Sequence, residues 1–193
     1  MYFQPWVGSN YEDGFVDGKK VLILGESHYE WQENQILEPT LTCDCIKGQF
    51  SGGTTKQFWT NIALSLLGYI PNKDQREEFW NSVAFSNYIQ SSVGRGARTR
   101  PTKEQWLKGK ETFFELLEAR QPQIVVVLGY ELWGNLPESG VRGKDLTLQP
   151  RNRHWAYQLT NGANVYALGF KHPSAGFSGA KHHAIFNEFC TQI

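Results

Sequence analysis

The chain has 193 residues, with Lys+Arg and Asp+Glu balanced at 19 each, so whole-molecule charge gives no pull toward nucleic acid or an anionic membrane. Hydrophobic residues make up 40% and aromatics 14%, which excludes a disordered chain and fits one domain over residues 1–193 with an interior large enough to fold without staples. The thiols are Cys43, Cys45 and Cys190, an odd number that excludes a complete disulfide framework and suggests a reducing, cytoplasmic setting. No run of about 20 apolar residues suggests a membrane span, and the start carries no signal-peptide pattern.

The first predicted element is "VLILG" from Val21, an apolar run without alternation and hence a strand buried on both faces. "TKQFWTNIALSLLGY" places Phe58, Ile62, Ser65 and Leu66 at helical spacing and should stop at Gly68. "SVAFSN" from Ser82 reads as a second strand. After Pro101, Thr102 and Gln105 stand in capping-box spacing and open a helix expected to end near Arg120. "IVVVLG" from Ile124 and "VYALGF" from Val165 are the third and fourth strands, separated by Gly-, Pro- and Asn-punctuated loops or a short hairpin over 137–162. A last helix is expected from about Ser178 to Phe189. Strands alternating with helices predict an α/β fold, a three-layer α/β/α sandwich around a central, mainly parallel four-stranded sheet.

In such sheets the ligand crevice lies beyond the carboxyl ends of the strands. All four runs end in groups fit for chemistry: Glu26, Ser27, His28 and Tyr29; Asn87, Tyr88 and Gln90; Gly129 and Tyr130; His172 and Ser174. Polar groups also occur wherever strands emerge into surface loops, so each residue alone carries both readings. Cys43 and Cys45 lack the further ligands of a structural metal site, and three cysteines cannot hold a four-thiolate cluster; neither metal nor cofactor is expected.

Taken in order, "GESHY", "GQFSGG", "FSNY", "VVVLG" and "HPSAGFS" resemble the motifs of the uracil-DNA glycosylase superfamily, over roughly residues 20 to 190. The resemblance implies that fold and hydrolysis of the N-glycosidic bond of a flipped, deaminated or modified base. In the well-known members the first motif reads Gly-Gln-Asp-Pro-Tyr. Gly25 and Tyr29 match it, Tyr29 where bases with a 5-methyl group are shut out, but Ser27 stands where the water-activating Asp would be. Ser27 cannot supply that negative charge. Glu26, as in branches whose motif begins Gly-Glu, is the candidate carboxylate, with His28 and Glu30 in reserve; helix capping or an ion pair is its alternative role.

Phe50 matches the aromatic on which the extruded base stacks, or is a core ring. Asn87 matches the base-reading amide, whose donor and acceptor suit a pyrimidine edge, or is a satisfied buried amide. His172 matches the histidine that donates to the base oxygen as the base leaves, Ser174 the serine that bonds a phosphate, and Phe177 the apolar wedge, although Ala175 and Gly176 break the usual pattern there. Arg95, Arg98 and Arg100, followed by Lys103, Lys108 and Lys110, form a basic stretch suited to a DNA backbone; Lys171 and Lys181 extend it. Single-stranded or mispaired DNA is the expected partner, since extrusion is cheapest there. Two other readings stay open: a catalytically impaired module that binds DNA or a modified base, including in defence against foreign DNA, and a hydrolase of free nucleosides or nucleotides.

Overall fold

The structure is a computed structural model that describes residues 1–33, 35–50, 56–96, 98–149, 154–174 and 176–193. Residues 51–53 of the "GQFSGG" segment, 151–153 and Ala175 lie outside the described residues. Along the chain run β1 (Trp6–Val7), β2 (Val21–Gly25), β3 (His28–Glu30), α1 (Leu41–Lys47), α2 (Gln57–Leu67), α3 (Lys73–Ser82), β4 (Ala84–Asn87) and β5 (Ser92–Arg95). There follow α4 (Lys103–Arg120), β6 (Ile124–Leu128), α5 (Tyr130–Gly134), β7 (Val141–Arg142), β8 (Trp155–Gln158), β9 (Asn164–Phe170) and α6 (Gly179–Cys190). Among the described residues no helix is long and apolar enough to cross a membrane.

The four runs anticipated as strands are β4, β2, β6 and β9, adjacent in that order and mutually parallel. The sheet itself is larger than the four strands expected and is mixed: it has seven strands in the order β1-β4-β2-β6-β9-β8-β7. β1 adds antiparallel to β4, and the β8–β9 hairpin and β7 extend the other edge antiparallel. These additions lie in short or punctuated segments without a long apolar run, and tertiary pairing rather than local pattern makes them strands. A separate parallel pair, β3 with β5, stands beyond the carboxyl end of β2.

All five residues of β2 and of β6 are buried, and the period of two divides them between two cores. Val21, Ile23, Ile124, Val126 and Leu168 pack with Ile62, Leu66, Phe79, Trp80, Ile185 and Phe186 of α2, α3 and α6. Leu22, Leu24, Val125, Val127 and Ala167 pack with Phe113, Leu116 and Leu117 of α4 and Leu132 of α5. The helix signals act as expected. Gly68 ends α2 in the left-handed conformation, φ 84°, and Thr102 and Gln105 close a full capping box on α4. Gln105 Nε2 also donates to Ser92 O at 2.8 Å, which ties the helix start to the β5 strand. α3 presents no apolar stripe in the sequence, its residues being polar apart from Phe79 and Trp80, and its start is marked by the Asn72–Gln75 capping box.

Gly109 sits mid-helix in α4 where an added Cβ would overlap the ring of Tyr88. Two effects of opposite sign compete in Gly109→Ala: helix propensity favours alanine by about 1 kcal/mol, and overpacking costs about 1–3 kcal/mol. Because the obstruction is a ring whose relative exposure is only 1%, overpacking should win. Urea unfolding is expected to show the variant less stable than the parent; an equal or higher midpoint would mean that Tyr88 moves aside.

Candidate functional site

Parallel pairing brings the ends of β4, β2, β6 and β9 to one edge, and the chain order of these strands reverses direction at β2, between β4 and β6. Gly25 and Asn87 are register partners, and a Cβ on Gly25 would collide with Asn87 Oδ1; the glycine makes room for the amide. Asn87 is 5% exposed. Its backbone carbonyl accepts from Gln90 Nε2 at 2.6 Å, whereas its carboxamide makes no hydrogen bond among the described residues. The carboxamide atoms are not among the fully buried polar atoms that lack a partner, so water or a ligand can reach them and complete their hydrogen bonds.

Glu26 follows directly. The ladder runs on through its carbonyl, which accepts from Ile89 N at 2.9 Å, while its half-buried side chain faces Arg100. One guanidinium nitrogen, Nη1, lies 3.4 Å from Glu26 Oε1 and 3.1 Å from Glu131 Oε2, with Glu131 in the first turn of α5. Burial pushes the Glu26 carboxyl above the usual carboxylate range, Arg100 pulls it back, and Glu131 pushes it up again.

His172 comes to the same place from β9. Its ring lies 3.8 Å from where a Cβ on Gly129 would be and 5.5 Å, centroid to centroid, from Phe58. Asn87 and Gly129 end strands two places apart, so about 10 Å of sheet edge separates them at the usual strand spacing, with Glu26 between. Ser174 N donates to His172 Nδ1 at 3.2 Å, which assigns the imidazole proton to Nε2. Partial loss of solvent and then the charge of Arg100 lower the His172 pKa, so the neutral ring with its proton on Nε2 is the favoured form. The loop is fastened from below: Asn61 Nδ2 of α2 donates to Pro173 O at 2.7 Å in a buried bond, and Gln57 donates to Asn61 Oδ1 at 2.8 Å.

The remaining sequence candidates are placed less centrally. Ser27 is half-buried. Tyr29, on β3, has its ring 5.8 Å from Trp31. Phe50 is half-buried, edge-on to Trp6 at 5.7 Å, at the rim of one core. Phe177 lies flat on His182 at 3.9 Å rather than projecting. Arg95 and Arg98 are exposed around the β5 turn, Arg95 being 4.0 Å from Glu33 and Arg98 holding φ 76°. Glu30 accepts from Ser92 Oγ at 2.7 Å. His28 turns away to Thr42 Oγ1, 2.8 Å from its Nε2, and packs edge-on to Phe3 at 4.7 Å. A cavity of about 170 Å³ opens beside the His172 loop, lined by Tyr130, Gln149, Lys171, Ser178, Lys181 and His182 among others.

Glu131 and Asn61 are the residues that sequence reasoning missed. Asn61, an amide amid the apolar run of α2, carried a signal of the kind that singled out Asn87. Glu131 had none beyond following "VVVLGY". Compared with known proteins, the chain matches no family model and no curated sequence.

Burial lowers the pKa of His28 to about 4, against about 6.5 for an unperturbed imidazole. Between these values the unfolded chain binds a proton that the folded chain refuses, so this contribution is complete above about pH 6.5 and is lost as pH falls toward 4. Urea unfolding at pH 7.5 and 4.5 should show the parent losing on the order of 2 kcal/mol more than His28→Gln. Equal losses would place His28 in contact with solvent.

Proposed function

We propose that the chain is a uracil-DNA glycosylase-like N-glycosyl hydrolase acting on a deaminated or modified base flipped out of DNA. In this reading the sheet with a core on each face is the superfamily's three-layer sandwich, and its four central parallel strands carry the site. The observation that carries the reading is the setting of His172: a neutral ring with its proton assigned to Nε2, on the same edge as an amide that has no hydrogen-bond partner among the described residues and a half-buried carboxylate. Those are the groups that a leaving pyrimidine anion and an attacking water require.

The roles follow from the resemblance and from the chemistry of the side chains. Asn87 reads the base edge with one donor and one acceptor. Phe50 stacks on the base, and Tyr29 narrows the space at its 5-position. As the C1′–N bond breaks, the electron pair moves onto the base, and His172 Nε2–H stabilises the oxygen that gains charge. Glu26 takes a proton from water as the new C1′–O bond forms, the role that Ser27 cannot fill. The base anion later takes a proton from solvent. Arg95, Arg98 and Ser174 hold phosphates, and Arg100 stands where it can bridge the carboxylate and the incoming backbone.

A second reading is favoured by one observation: Glu26 is engaged with Arg100 instead of standing free, in a motif already lacking the usual Asp. On that reading the domain binds a base or DNA without cleaving it. Single-stranded and mispaired oligonucleotides carrying labelled uracil, hypoxanthine or modified bases should yield alkali-labile abasic sites. Glu26→Gln should lower kcat by about 10²–10⁴-fold and His172→Ala by about 10²–10³-fold, each with DNA affinity nearly unchanged. Affinity lost in both variants, with no base released by the parent, would leave the binding module as the answer.

A further inference from the structure

Glu131 has no part in the chemistry above, yet it makes the shorter of the two contacts to Arg100, 3.1 Å against 3.4 Å for Glu26. The three side chains are graded from inside to outside: 15% exposed at Glu26, 44% at Glu131 and 59% at Arg100. An exposed arginine facing a single carboxylate gains little, because screening and side-chain freedom offset the attraction. Two carboxylates converging on one nitrogen restrict it far more. The backbone beneath Glu131 is also well held. Leu132, the next residue, is fully buried, and Trp133 N donates to Gly129 O at 2.9 Å. Arg100, by contrast, sits in the approach to α4, just after Arg98 in its left-handed conformation.

We propose that Glu131 is a positioning residue: it anchors the guanidinium of Arg100 over Glu26, so that the half-buried Glu26 carboxylate keeps its charge. The significance of this for catalysis rests on the glycosidase reading, but the anchoring does not. Glu26 is faced by Arg100 from the approach to α4 and by Glu131 from α5; His172, from the loop after β9, feels the same Arg100 charge. Glu131 acts on Glu26 in two opposed ways. As a like charge it disfavours ionisation of Glu26 directly, and as an anchor it favours ionisation by fixing the cation nearby.

The sign of the change separates the two. A merely neighbouring Glu131 predicts that removing it makes Glu26 more acidic; an anchoring Glu131 predicts that Glu26 becomes less acidic. The substitution Glu131→Asp sharpens the comparison, since it keeps the negative charge and withdraws it by one methylene. The test is a ¹³C NMR titration of the carboxyl carbons of labelled glutamate in the full chain, without substrate, with the Glu26 signal assigned by its absence in Glu26→Gln. In Glu131→Ala and in Glu131→Asp the proton affinity of Glu26 should rise about threefold or more, and in Arg100→Ala at least as much. Adding Glu131→Ala to Arg100→Ala should then produce no further rise, because nothing is left to anchor. A Glu26 midpoint that stays in place or falls in both Glu131 variants would overturn the proposal. Should the alanine variant unfold, as circular dichroism would show, the aspartate variant decides alone. Because no turnover enters this measurement, an inactive parent in the oligonucleotide assay would count against the glycosidase reading and leave the titration result standing.

Discussion

Parallel pairing of β4, β2, β6 and β9 is the constraint on which the site depends. Parallel neighbours cannot be joined by tight turns, so each connection must cross over and return to the same side of the sheet. The carboxyl ends therefore share an edge, and Asn87, Glu26, Gly129 and His172, drawn from positions 26 to 172 of the chain, stand along it. Strand spacing alone places the first three within about 10 Å. The rest of the molecule holds this edge: apolar cores on both faces fix the strands, and antiparallel strands close both flanks.

Above that edge, the polar groups are oriented by neighbours on other elements or farther along the loop. Gly25 yields the space that Asn87 fills. Ser174 supplies the backbone N–H that selects the His172 tautomer. Asn61 holds Pro173 from the helix below, and this long-range bond fixes a loop whose own sequence has few apolar anchors. In the proposed reaction, an imidazole held in this way would not have to reorient as the oxygen of the leaving base gains charge, the condition under which such a donor contributes most.

Charge at the site is arranged for economy. Glu26, the least exposed of the three ionisable groups there, loses hydration, and Arg100 offsets part of that loss from the solvent side. Glu131 shares the same cation. His172, close enough to feel Arg100, is biased to the neutral state. A carboxyl raised above its usual range by burial and drawn back by Arg100 and an imidazole biased to the neutral state, on one strand edge, form a pair whose environments set their protonation in different ways. Outside this cluster the basic stretch of Arg95 and Arg98 is exposed, so a chain of zero net charge still carries cations beside its candidate cleft.

The sequence by itself determined the four buried strands, the helices with strong ends, and the idea that chemistry lies where the strands stop. Those features are local: "VLILG" and "IVVVLG" are continuous apolar runs, and Thr102 with Gln105 or Gly68 act within one turn of their helix. The punctuated interval 137–162 already admitted a short hairpin, which β7 and β8 form, but only the tertiary structure decided that this hairpin and β1 join the sheet, because these short segments are strands through their partners. It also decided which of the four consecutive candidates Glu26, Ser27, His28 and Tyr29 faces where. A residue-by-residue alternation cannot be carried past the last ladder bond, and the packing of Phe3 and Thr42 draws His28 aside while Arg100 and Glu131 meet Glu26. Contacts such as these join residues tens of positions apart, and no spacing along the chain encodes them.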